Sequence, residues 1–147
     1  MSLRLVANWK LNGSREFNYQ WANEFFENYY GKNFLSLGIA PASLYIDHLK
    51  EVIGNFSIQI GAQNIDLEET GARTGEISAS MIKDIGCKFS IIGHSERRIF
   101  FHETNQIICQ KLIQANNHSV IPILCIGESA EENQSNITQD ILEQQII

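Results

Sequence analysis

The sequence predicts an α/β fold organised around a parallel sheet. Short β-branched runs alternate with longer segments of helical periodicity, and glycines fall where several of the helical segments end. Size agrees: 147 residues, 44% of them apolar, can bury roughly two-thirds of the surface an unfolded chain exposes, enough for one domain over 1–147.

The first strand is read at Leu5 to Trp9. After Asn12-Gly13, Ser14 is placed to cap a helix whose Phe17, Trp21, Phe25 and Tyr29 recur at i, i+4 spacing, with Gly31 to stop it. A second strand at Leu35 to Ile39 leads to a helix carrying Tyr45, Leu49, Val52 and Ile53 on one side and Gly54 at its end. The third strand is expected at Phe56 to Gln63. Asn64 to Glu76 is polar and without period, a long loop of the kind that is uncommon unless functional.

A short helix around Ser80 to Ile85 ends at Gly86, and a fourth strand, Lys88 to Ile92, runs into Gly93-His94. The next helix is capped by Thr104 and carries Ile108, Leu112 and Ala115 on one face. The fifth strand is read at Val120 to Ile126, with Pro122 suggesting that pairing begins later than its first residue. Ile137, Ile141, Leu142 and Ile146 have helical period, and the end at Ile146-Ile147 without capping glycine or polar tail reads as a cut helix. Five βα units fit either an open doubly wound sheet or part of a barrel, and periodicity does not separate them.

Charge excludes some functions. With 11 Lys+Arg against 17 Asp+Glu and a net of −6, and no run of like charge, nucleic acid is a poor partner, while a small anion needs only a few focused cations. No run approaches the ~20 apolar residues of a membrane span, and no secretory signal is recognisable, so a cytoplasmic setting is expected. Cys87, Cys109 and Cys125 form no CxxC pair and are expected as free thiols. Cys125, at the end of an apolar run, is expected to be buried and inert.

In parallel α/β folds chemistry gathers where strands end, and the polar residues there are Asn8 and Lys10, Gln63 and Asn64, His94 with Ser95, Glu96 and Arg97, and Cys125 with Glu128. SERR after His94 reads as the start of a helical turn, whose N-H groups and positive dipole end favour a neutral imidazole. Such a ring can donate to a carbonyl and move a proton between oxygens. His48, His94, His102 and His118 form no metal-binding pattern, and GxGxxG, GxxxxGK[ST] and GxSxG are absent from the sequence. A single Lys or Glu of this set is most simply a solvated loop residue; several converging on one face are not.

VANWKLNG at 6–13, GAQNID at 61–66, TGE at 74–76, IIGHSERR at 91–98 and ILCIGE at 123–128 together resemble triosephosphate isomerases, in one register from end to end. The resemblance implies an incomplete (β/α)8 barrel with strands one to five present. It implies interconversion of dihydroxyacetone phosphate and glyceraldehyde 3-phosphate through an enediolate, with no cofactor and no metal. It assigns Asn8 and Lys10 to the phosphorylated triose, His94 as the neutral electrophile, Glu96 beside Lys10 at the catalytic centre, and Arg97 with Glu103 as a brace. Cys125 is carried over as structural support. Thr74, Gly75 and Glu76 are implied at the interface of a homodimer.

Such a barrel needs about 250 residues. The family's strand-six glutamate base, lid loop and later phosphate-gripping loops find no counterpart in these residues. The expectation is a partial chain, inactive alone; the alternative is a non-catalytic fragment acting as an interaction module or a phosphate-ester binding module.

Overall fold

A computed structural model describes residues 3–29 and 35–146; Gly31, expected to stop the first helix, lies outside them. Five strands, β1 (Leu3–Asn8), β2 (Leu35–Ala40), β3 (Ile58–Ala62), β4 (Phe89–Ile92) and β5 (Ile121–Leu124), pair in chain order, every neighbouring pair parallel. The sheet curls into an arc, the first five strands of a (β/α)8 barrel. Parallel neighbours need crossovers, and α1 (Arg15–Asn28), α2 (Ile46–Ile53), α3 (Ala79–Asp84), α4 (Ser95–Phe100) and α5 (Asn105–Asn117) supply them, while α6 (Ala130–Gln134) and α7 (Thr138–Ile146) follow β5.

Strand alternation splits the core between the two faces of the sheet. Ile39, Ile60 and Ile92 meet the helices at Ile46, Leu49, Ile53, Ile82 and Ile108. Their chain neighbours Ala40 and Ile91 turn to the concave side with Phe89, backed by Ile123 and Cys125. Phe89 occupies this side so fully that a Cβ at Gly61 would stand 2.4 Å from its ring, and one at Gly38 2.9 Å. The two glycines are therefore required by close approach, not by a turn.

The two helix caps read from the sequence act as read. Ser14 Oγ accepts from the Phe17 N–H at 2.9 Å and Thr104 Oγ1 from the Ile107 N–H at 3.3 Å. Ser129 and Glu132 form a reciprocal capping box that starts α6. Pairing of β5 begins at Ile121, one residue after the sequence reading. Ile121 and Cys125 donate their N–H groups to β4 carbonyls at Lys88 and Ile92, so the nitrogen of Pro122 faces the open edge, where its missing donor costs no hydrogen bond.

The first helix differs from expectation. Its buried residues are Asn18 and Ala22, one step round from the aromatic stripe. Asn18 Nδ2 approaches the Nδ1 of His48 on α2 at 3.0 Å. The stripe forms a stacked ladder along the helix, with ring centroids 4.9 Å apart for Trp21–Phe25 and 4.8 Å for Phe25–Tyr29, and Trp9 meets Phe17 and Trp21 edge-on. An i, i+4 run of large rings therefore marks here the flank of the helix, not its buried centre.

Gly61→Ala is expected to destabilise the fold by ~1–3 kcal/mol, the range for overpacking a filled core, measured by denaturant unfolding. Adding Phe89→Leu should recover part of that loss, because the ring is what the new methyl meets.

Candidate active site

The carboxyl ends of β1, β3 and β4 converge on a cleft of about 630 Å³ lined by Asn8, Lys10, Gln63, Asn64, His94 and Glu96, among others. Asn8 closes β1, and its Oδ1 accepts from the Lys10 N–H at 2.9 Å. Gln63 Nε2 donates to the carbonyls of Lys10 and Ala40, both at 2.9 Å, which ties the ends of β1 and β2 to β3. Lys10 is held at φ +53°, a left-handed backbone that a side chain carrying a Cβ rarely adopts.

Lys10 Nζ meets Glu96 Oε1 at 2.7 Å across the cleft, with both side chains close to half exposed. The hydrogen bond from Lys10 holds the Glu96 carboxyl below the ordinary glutamate range. His94 is the N-cap of α4, and its Nδ1 accepts the Glu96 N–H at 3.2 Å. An acceptor nitrogen carries no proton, so the ring's proton sits on Nε2 in this arrangement. The same Nδ1 lies 3.4 Å from Glu96 Oε2, a contact that becomes an ion pair only if the helix-start hydrogen bond is given up. The geometry thus pairs a neutral N–H donor with a positive charge over one cleft, an arrangement suited to stabilising negative charge on a small oxyanion.

A buried cluster fixes the loops behind the cleft. Glu103 Oε1 accepts from Arg97 Nε and from Lys111 Nζ, both at 2.5 Å, and Lys111 Nζ also donates to Asn64 Oδ1 at 2.8 Å. One carboxylate oxygen therefore joins α4 to α5, and Lys111 carries the link to the loop after β3. Burial pushes the Lys111 ammonium below its usual range against the opposing hydrogen bond from Glu103. Arg97 also lies over the Phe101 ring, 4.5 Å from its centroid.

Lys111 and the rim residues Leu11, Phe100 and Phe101 were not singled out by the sequence reading. Lys111 had a signal: it interrupts the stripe of Ile108, Leu112 and Ala115 at helical spacing, and a cation on an apolar face needs a buried partner.

Other expected residues lie elsewhere. Thr74, Gly75 and Glu76 sit in the loop after β3, which is closed at its base by the Asp66 N–H donating to the Ile77 carbonyl at 2.8 Å. Arg73 grips both oxygens of Asp66, at 2.6 and 2.8 Å. Burial pushes the Asp66 carboxyl up, but Arg73 and the Glu68 N–H outweigh it and leave the group below its usual range. Cys125 is only partly buried, against the sequence expectation; burial still raises its thiol above the ordinary range. Glu128 is occupied by Asn133, which donates to it at 2.9 Å. Among the described residues no group of three or more His, Cys, Asp or Glu side chains could hold a metal ion, and no helix is long and apolar enough to cross a membrane.

Comparison with known proteins agrees with this architecture. The family model described as triosephosphate isomerase matches residues 4–147. Proteins named triosephosphate isomerase from Escherichia coli O1:K1 and Shigella boydii serotype 18 are each 40% identical over 142 residues, covering 97% of this chain and 56% of their own length. The chain thus spans about half the length of the curated relatives it matches.

Two outcomes are expected from the site's electrostatics. A depressed carboxyl keeps its pair above the ordinary glutamate range and loses it as pH falls through the lowered value. Carbon-13 NMR should therefore show Glu96 titrating below an unperturbed glutamate, and Lys10→Met should raise its midpoint. Glu103→Gln, which leaves Arg97 and Lys111 without their shared anion, should destabilise the fold by about 3–5 kcal/mol in chemical denaturation, the range for breaking a buried pair.

Proposed function

Because the chain belongs to the triosephosphate isomerase family, we propose that its cleft is the amino-terminal share of an aldose–ketose isomerase site acting on a phosphorylated triose. The observation that carries this reading is the convergence of Lys10, Glu96 and His94 on one cleft at the ends of β1 and β4. Asn8 and Lys10 bind the substrate, and the Lys10 ammonium faces its phosphate and the charge developing on the reacting oxygens. His94 donates from Nε2 to the substrate carbonyl, and the hydrogen bond strengthens as that oxygen becomes an enediolate. Glu96 keeps Lys10 extended into the cleft by their 2.7 Å contact. Arg97 and Glu103 brace the loops, with Cys125 packed beneath the strand ends.

The reaction also needs a base to take the proton from carbon. The carboxylates on the family's motifs in this chain are engaged elsewhere: Glu96 with Lys10, Glu128 with Asn133, while Glu76 stands on the loop after β3. We assign the base to the part of the family's barrel that these 147 residues do not contain. In the complete assembly the loop with Thr74, Gly75 and Glu76 meets a second subunit of a homodimer, and the enzyme is cytoplasmic and serves glycolysis and gluconeogenesis.

The chain alone is expected to show no isomerase turnover in a coupled assay, since a positioned base contributes ~10²–10⁴-fold. It should still bind dihydroxyacetone phosphate weakly, with NMR shifts centred on Asn8, Lys10 and His94. In an enzyme completed with the remaining βα units, His94→Gln should lower kcat with KM comparatively intact, as for an interaction made mainly in the transition state. Binding without turnover even in the completed enzyme would favour a phosphate-ester binding module.

A further inference from the structure

Arg97 and Arg98 are chain neighbours with different partners. Arg97 directs its guanidinium to Glu103, whereas Arg98 turns back along the chain. Its Nε donates to the Gly93 carbonyl at 2.9 Å, Nη1 to Asn105 Oδ1 at 2.6 Å and Nη2 to the Cys125 carbonyl at 3.4 Å. Its own backbone N–H goes to the carbonyl of His94 at 3.1 Å. The peptide groups before and after the His94 Cα are therefore both held by Arg98.

That junction is a weak point of the backbone. Gly93 stands at φ +72° between the end of β4 and the cap of α4, and a Cβ there would lie 3.0 Å from Ile108 Cδ1 and 3.3 Å from Arg98 Nη2. The missing side chain that lets the strand turn also leaves it free to swing. Helix α4 has six residues, well below the ~12–15 at which an isolated helix becomes marginally stable. A swing at Gly93 would carry the imidazole with it and break the 3.2 Å bond from the Glu96 N–H to Nδ1, the contact that leaves the ring proton on Nε2. Arg98 opposes that motion from three sides, through the end of β4, the first residue of α5 and the residue just past β5. A guanidinium suits this task, because its donors lie in one rigid plane, while a lysine is a point charge on a flexible stem. Burial pushes the Arg98 guanidinium below its usual range, and the oxygens that receive it belong to the main chain and an amide, so its gain is in position more than in charge pairing.

We propose that Arg98 is the positioning residue for His94, seating Nδ1 on the helix start and so aiming the Nε2–H into the cleft. The effect on turnover rests on the isomerase reading given above; the effect on the imidazole does not.

Nitrogen-15 NMR of the histidine rings in the 147-residue chain tests it. His94 should show the Nε2–H tautomer, and Arg98→Met should raise the Nδ1–H form to a comparable population. Gly61→Ala, destabilised within the sheet, should keep the original tautomer, which separates positioning from a general loss of stability. If Arg98→Met does not fold, Arg98→Lys, which keeps the charge without the fork, carries the same comparison. In an enzyme completed with the remaining βα units, Arg98→Met should lower kcat about 10–100-fold with KM little changed, the scale of a misplaced reacting group. The proposal is overturned by an Arg98 variant that keeps the Nε2–H tautomer, by the same tautomer change in Gly61→Ala, or by an unchanged kcat in a completed enzyme that His94→Gln does slow. Should His94→Gln itself leave turnover intact, the isomerase reading of His94 fails, and the ring spectra still decide the role of Arg98.

Discussion

Parallel strands cannot be joined by tight turns, and much else in this molecule follows from that. Each strand must be followed by a helix that carries the chain back, so every strand enters the sheet pointing the same way and all the strand-to-helix junctions fall at one end. Residues as distant in sequence as Asn8, Gln63 and His94 are thereby placed around one cleft. The same rule divides the core into a helix-facing layer and a concave layer, and it makes Phe89, with the two glycines beneath it, the filler of the concave side.

Geometry at the strand ends would be loose without the ties behind it. Gln63 joins two backbone carbonyls, and Glu103 gathers Arg97 and Lys111 on one oxygen, with Lys111 reaching on to Asn64. Buried ionic groups of this kind hold position more than they add net stability, since desolvation offsets much of their attraction. What they contribute is a fixed relation between the end of β3 and the start of α4. That relation sets His94 at the helix start, where a backbone N–H decides which ring nitrogen keeps the proton.

Much of this was legible in the sequence, for identifiable reasons. Strands and helices announce themselves by period and caps, and Ser14, Thr104 and Gly54 act where they were read. The motif residues at the strand ends fell in register because a strand end is a local property. Lys111 escaped because its partners, Glu103 and Asn64, come from other segments, and period alone cannot say which cation on a helix finds a buried anion. The aromatic spacing of α1 does not by itself give the buried centre of the helix, for a related reason: ring size marks a contact surface, but the buried face is that of Asn18 and Ala22, small enough to let α2 approach. Where pairing of β5 begins needed its register on β4, which Pro122 only hinted at.

Lys10 shows how a site of this kind constrains its own history. The φ of +53° at a residue with a Cβ costs ~1–2 kcal/mol relative to relaxed backbone, and glycine would remove that cost together with the ammonium that meets Glu96 across the cleft. Selection for robustness and selection for charge placement therefore pull in opposite directions at this position. Glycine or asparagine at this position would relieve the backbone while leaving the ties from Gln63 intact. Charge placement and backbone strain are thus coupled at position 10, as they are not at His102 or Ser119, which hold a similar φ away from the cleft.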